Sequence, residues 1–140
     1  MTSAGPDAAG KPLGSSLIAG IDLGGTHMQV GVVDAAGRIV GRSHGFTDLS
    51  GGMAGVCVAI AERVRTACAA AGIEPSSLAG AGLAAPGAVD PFRRVVVNAP
   101  NLGWSDASPA QEIERHLGGV PVALDNDVNA AALAEHDLGA

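Results

Sequence analysis

Apolar positions change period along this chain, and each change predicts a different element. From Leu17 to Leu23 they run almost unbroken into Gly24-Gly25, as in a buried strand closed by a tight turn. Met28 to Asp34 carries Val30, Val32 and Val33, Asp34 to Gly37 reads as a turn, and Arg38 to Gly45 completes a predicted antiparallel meander. The period then lengthens: Met53, Val56, Cys57, Ile60, Val64, Ala67, Cys68 and Ala71 recur at spacings of three and four, predicting an amphipathic helix with Glu62, Arg63 and Arg65 outward. Gly72 and Pro75 mark its end.

Leu78 to Ala85 is small and apolar, stops at Pro86-Gly87, and reads as a strand approached closely by a helix. Arg94 to Asn98 is a short strand candidate. Ser108 to Leu117 predicts a helix with Ser108 as cap, Pro109 in the first position and Gln111 three residues after the cap. Val120 to Leu124 predicts another strand, and Asp127 to Leu138 an Ala-rich helix opened by Asp125, Asn126 and Asp127. This order predicts an α/β fold, a mixed sheet with an initial antiparallel meander and helices on its faces. Ligands in such folds gather at the carboxyl ends of strands. Residues 1–16, with Gly5, Pro6, Gly10, Pro12 and Gly14, are expected to form a flexible tail, and residues 17–140 one domain.

Composition narrows the partners. A net charge of -6 and 2% aromatic residues leave neither a phosphate-binding face nor a base-stacking platform, so nucleic acid is disfavoured. No run of eighteen apolar residues suggests a membrane span, and the N-terminus lacks the basic start and apolar core of a secretory signal. The expected location is the cytoplasm. Cys57 and Cys68 lie about 16 Å apart along the predicted helix, too far to bridge, and read as buried thiols in a reducing compartment. His27, His44, His116 and His136 show no ligand spacing, so a metal cluster is not expected.

Two formal motif matches fail on physical grounds. Gly5 to Lys11 resembles a Walker A loop, but Pro12 replaces its magnesium-binding hydroxyl and no strand precedes it. Gly80 to Ala85 fits a loose dinucleotide pattern, yet Pro86-Gly87 forbids the helix that must open there.

Asp22-Leu23-Gly24-Gly25-Thr26 is a better candidate. Glycines without Cβ let backbone N–H groups turn toward phosphate oxygens, the Thr26 hydroxyl adds a donor, and Asp22 at the strand end can hold magnesium through water. A glycine hairpin turn is the competing reading. Asp125, Asn126 and Asp127 can cap a helix, but three polar residues exceed what one cap needs. A carboxylate there can accept the proton of a hydroxyl attacking phosphorus. Asn98, Asn101 and Trp104 fall in a predicted loop whose amides both donate and accept, suiting a polyhydroxylated ligand as well as plain Asx turns.

Taken together, these stretches resemble the N-terminal lobe of the ROK family of bacterial sugar kinases and repressors. The matching residues are Asp22 to Thr26 with Gly31 to Asp34, Pro86-Gly87 with Val89-Asp90, Ala99 to Trp104, and Asp125 to Glu135. The resemblance implies an actin-like ATPase (ribonuclease H-like) lobe, with ATP and Mg2+ as cofactors. It assigns Asp22, Gly24, Gly25 and Thr26 to the phosphates and magnesium, Gly87, Asn101 and Asn126 to sugar hydroxyls, and Asp127 to the general base. His27 stands where the family commonly has Lys or Asn, which weakens any cationic phosphate contact there.

The family's second lobe carries an adenine site, further phosphate-binding glycines, a sugar-binding glutamate and histidine, and a structural zinc site, none of it expected in these residues. The implied activity is phosphorylation of a hexose, glucose to glucose 6-phosphate, by a full-length homodimeric parent, this chain alone being inactive, weakly stable and rich in exposed apolar surface. The alternatives are a fragment of a sugar-responsive repressor, disfavoured because about sixteen residues precede the first strand, or a non-catalytic truncated sugar-binding product.

Overall fold

Strand β1 (Leu17–Leu23) buries Leu17, Ala19, Ile21 and Leu23 and turns Ile18, Gly20 and Asp22 the other way. That alternation organises the molecule. The structure is a computed structural model and describes residues 16–126. The predicted helix from Asp127 to Leu138 and residues 1–15 of the predicted tail lie outside the described residues.

After β1 come β2 (His27–Val33), β3 (Ile39–Phe46), helix α1 (Gly52–Ala70), a 3-10 turn (Pro75–Ser77) and β4 (Leu78–Ala85). Then follow β5 (Ala88–Asp90), β6 (Val95–Ala99), β7 (Trp104–Ala107), helix α2 (Pro109–His116) and β8 (Val122–Asn126). The main sheet has the order β3-β2-β1-β4-β8, antiparallel through β3, β2 and β1 and parallel from β1 to β4 to β8. A second, antiparallel sheet has the order β5-β6-β7.

The core follows from register. Val30, Ile21, Leu83 and Leu124 pair in one row across β2, β1, β4 and β8, and all four are buried. Over them lies α1, burying Val56, Ile60, Val64 and Ala67, and α2 packs its Ile113 against α1 and β8. Each such side chain removed from water contributes about 1.5–3 kcal/mol. At Gly41 a Cβ would lie 2.1 Å from the Ala67 carbonyl oxygen, so β3 and α1 meet backbone to backbone where only hydrogen fits. Cys57 and Cys68 are buried free thiols, and Cys57 donates weakly to the Pro109 carbonyl.

The turn between β2 and β3 forms as predicted: the Arg38 and Ala36 amides both donate to the Asp34 carboxylate, and these bonds, the Arg38 amide above all, hold that carboxyl below its ordinary range.

Three local expectations change. Ser108 makes no side-chain capping bond; α2 begins on the fixed φ of Pro109. Strand β8 starts at Val122 rather than Val120, because Pro121 has no N–H to donate and its carbonyl instead accepts from Ala81 at 2.8 Å. The segment predicted as a loop is a turn only from Pro100 to Gly103, between Asn98 in β6 and Trp104 at the start of β7.

Large apolar side chains are exposed at Ile18, Ile39, Val40, Phe46, Val58, Phe92 and Val97. Among the described residues no helix is long and apolar enough to cross a membrane.

Candidate functional site

The parallel strands β1, β4 and β8 all end on one rim of the main sheet, and each end carries a stretch singled out by sequence. Strand β1 ends in Asp22-Leu23 before Gly24-Gly25, β4 in Ala84-Ala85 before Pro86-Gly87, and β8 in Asp125-Asn126. Register places Asp22 level with Ala84 and Ala84 level with Asp125. Two carboxylates therefore share one face with a single methyl between them, about 9.6 Å apart by strand spacing. Asn126 lies level with Ala85, and its amide donates to the Asp125 carboxylate at 2.8 Å. Asp127 comes next in the chain, outside the described residues.

The turn after β1 is pinned from both sides. The Gly24 amide donates to the His27 carbonyl at 2.9 Å, and a Cβ on Gly24 would meet that same oxygen at 2.9 Å. From the end of β3, the Thr47 hydroxyl donates to the Gly24 carbonyl at 2.9 Å and the Thr47 amide to the Thr26 carbonyl at 2.7 Å. The Gly24 amide is thus used in shaping the turn, which leaves the Gly25 and Thr26 amides and the Thr26 hydroxyl as the groups suited to an anion. His27 and Phe46, both exposed, flank the turn with ring centroids 5.0 Å apart.

The small sheet brings the amides to this turn. A Cβ on Gly25 would lie 3.6 Å from both the Cβ and the carbonyl oxygen of Asn101, so the glycine turn and the amide-bearing segment touch. Gly87 has φ +90° and faces the Asn98 carbonyl so closely that a Cβ would sit 2.3 Å from it. Only glycine allows β4 to pass into β5 against β6 in this way. Asn98 and Asn101 stay exposed, while Trp104 is buried with its indole N–H lacking a hydrogen-bond partner among the described residues.

Asp22, Gly25, Thr26, Asn101, Gly87 and Asn126 therefore belong to one rim. Among the described residues no three His, Cys, Asp or Glu side chains gather as a metal cluster. Magnesium needs none, since it takes one or two carboxylates with water and substrate phosphates. The exposed Asp22 carboxylate beside the glycine turn fits that donor set.

Some contributors escaped the sequence reading. Thr47 braces the turn from just beyond β3, distant in sequence, and no local pattern signals it. Asp125 was singled out by sequence, but its place level with Asp22 comes only through register. Arg94 and Glu114, read merely as a strand residue and a helix residue, form an ion pair that also holds both backbone groups of Val122. A shallow open depression lined by Arg94, Gln111, Glu114 and Gly119 lies beside that pair, and none of the predicted site residues lines it.

The family model described as ROK family matches residues 18–140. The chain belongs to the ROK family. A glucokinase of Halalkalibacterium halodurans is 33% identical over 121 residues, covering 86% of this chain and 36% of that protein. A solved ROK family glucokinase from Streptomyces griseus, in complex with glucose and AMPPNP, superposes with a TM-score of 0.77 at 35% identity, covering 89% of this chain and 38% of that one. ROK repressors are related too: a xylose repressor of Caldicellulosiruptor bescii is 26% identical over 129 residues, covering 92% of this chain and 32% of that protein. The chain thus spans between 32% and 38% of these relatives' lengths. Its fold is the actin-like ATPase lobe of the ROK glucokinases.

Proposed function

We propose that the protein carrying this lobe transfers the γ-phosphoryl group of ATP to a hexose, to glucose at its 6-hydroxyl, giving glucose 6-phosphate. The observation that carries this reading is the contact of Gly25 with Asn101, which sets phosphate-type donors directly beside amides suited to sugar hydroxyls. Similarity to glucokinases, one of them holding glucose and AMPPNP, supports the same chemistry.

Each residue has a defined task. The Gly25 and Thr26 amides and the Thr26 hydroxyl hold phosphate oxygens on the turn that Gly24 shapes. Asp22 holds Mg2+ through water, and the ion supplies charge neutralisation for the phosphates. Asn101 and Asn126 orient the sugar, with Gly87 allowing the close approach that presents them. Asp127 accepts the proton of the attacking hydroxyl; transfer depends on positioning and charge stabilisation, so one aligned carboxylate suffices. Nucleotide and sugar must be enclosed together, and this lobe supplies one wall of that enclosure, so the isolated chain is inactive.

A coupled ADP-release assay on the full-length protein with glucose, mannose, fructose and N-acetylmannosamine tests the reading. Glucose is expected to turn over fastest, and Asp127→Asn to lower kcat by about 10²–10⁴-fold. Near wild-type turnover by Asp127→Asn removes the base from this residue. The xylose-repressor relationship supports a second reading, sugar-controlled DNA binding. Tight operator binding without ADP release selects it.

A further inference from the structure

Strands β6 and β8 belong to different sheets, yet both run from one corner of the molecule to the rim. Strand β8 starts at Val122 and delivers Asn126; β6 follows Arg94 and delivers Asn98, with Asn101 just beyond. Each run from corner to amide covers about 13 Å.

At the corner a single charged pair grips both strands. The Arg94 guanidinium donates to the Glu114 carboxylate and, at 2.9 Å, to the Val122 carbonyl. The same Glu114 oxygen accepts the Val122 amide at 2.8 Å. Both side chains are partly buried, which keeps solvent screening from erasing the pair. The Val122 amide and the Arg94 guanidinium, outweighing desolvation, hold the Glu114 carboxyl below its ordinary range.

A second observation concerns the backbone. Arg94 has φ +56°, a left-handed conformation costly for a residue with a Cβ. Such strain persists where surrounding contacts over-determine it, and it concentrates at functional sites. If only a turn were needed here, glycine would serve without strain.

We propose that Arg94 and Glu114 are positioning residues: their clamp sets how β6 advances relative to β8, and with it the spacing of Asn98 and Asn101 from Asn126 across the sugar site. This rests on the kinase reading for its functional meaning, while the mechanical coupling stands by itself.

Arg94→Gly in the full-length protein separates positioning from simple support, because it relieves the strained backbone while deleting the guanidinium. The expected result is a rise in sugar KM of about tenfold, with kcat within about twofold and the KM for ATP unchanged. Arg94→Lys should recover part of that loss, and Glu114→Gln, which keeps an acceptor for Val122, should lose less than Arg94→Gly. Sugar KM within about twofold of wild type in Arg94→Gly, or a proportional loss in the kcat and ATP terms, overturns the proposal.

Amide hydrogen exchange on the same variants reads the coupling without any reaction. Residues of β6 and β7 should exchange about tenfold faster in Arg94→Gly while β1 and β2 are unchanged. Unchanged exchange in β6 and β7 overturns the clamp. Faster exchange in a protein that phosphorylates none of the four sugars leaves the clamp standing and removes the kinase reading instead.

Discussion

The main sheet and the small β5-β6-β7 sheet both deliver residues to the rim, but the small one needs more than the shared core to hold it. In the main sheet, alternate side chains enter a common core under α1 and α2, and Val30, Ile21, Leu83 and Leu124 stack in one buried row. In the small sheet the strands are three to five residues long and β7 buries only Trp104. It shares the core through Val96 and Ala99 of β6 and Trp104 of β7, and is tied further by the close approach at Gly87 and the Arg94–Glu114 clamp; among the described residues both non-glycine residues with positive φ, Arg94 and Asp106, fall in this region. The lesson is that apolar burial anchors both sheets, while strained backbone and one ion pair are added where the amides are aimed.

The sharpest way to break this contrast is to damage each region in its own terms. Leu83→Ala, in the buried row, should cost about 2–5 kcal/mol in urea unfolding through lost burial and a residual cavity. A loss under about 1 kcal/mol would mean that the row does not carry the platform. Gly87→Ala should cost less, about 1–3 kcal/mol, because the small sheet can shift away from the new Cβ. Its larger signature should be a raised sugar KM in the full-length protein. If Gly87→Ala leaves sugar KM untouched, the close approach at Gly87 is not what aims the amides.

A smaller effect probes the core from within. Burial, aided by the negative charge of Glu112, pushes the Cys57 thiol up to about 12 from its ordinary 9.0. The unfolded thiol ionises first, so the stability this group contributes is intact below pH 9.0 and declines as pH rises toward about 12. A native-state thiol assay at pH 8 should therefore leave Cys57 unlabelled until urea unfolds the chain; rapid labelling would show the platform opening under α1.

The mildest change concerns Trp104, whose buried indole N–H has no partner among the described residues. Trp104→Phe removes that donor while keeping an aromatic ring, so the cavity cost and the relieved desolvation should nearly cancel, within about 1 kcal/mol. A loss of about 3 kcal/mol or more would show that the indole itself anchors β7.

The same contrast decides what was legible in sequence. Residues Leu17–Leu23 and Leu78–Ala85 were bounded correctly because burial imposes a period on them, and the spacing of Val56, Ile60 and Val64 announced α1. Strands β5 and β7 were missed because strands so short and so exposed carry no period. Asp22, Gly25 and Asn101 were recognisable by residue type next to turn formers and Gly87 through the family resemblance, and the structure brings them together. Thr47 and the Arg94–Glu114 pair were not, since their roles arise from partners far along the chain that only folding supplies. Asp127, the expected general base, lies outside the described residues.

The row Asp22, Ala84, Asp125 has one more consequence. Its two carboxylates, about 9.6 Å apart, are separated by slightly more than the screening length of about 8 Å at physiological ionic strength and far less than the length of about 30 Å in 0.01 M salt. The solvent therefore sets how negative the rim is. A polyphosphate meets little opposition in a salty medium and strong repulsion in a dilute one, unless a divalent cation arrives with it. On the proposed kinase reading, salt and metal should accordingly act as partial substitutes in delivering nucleotide to this edge of the sheet.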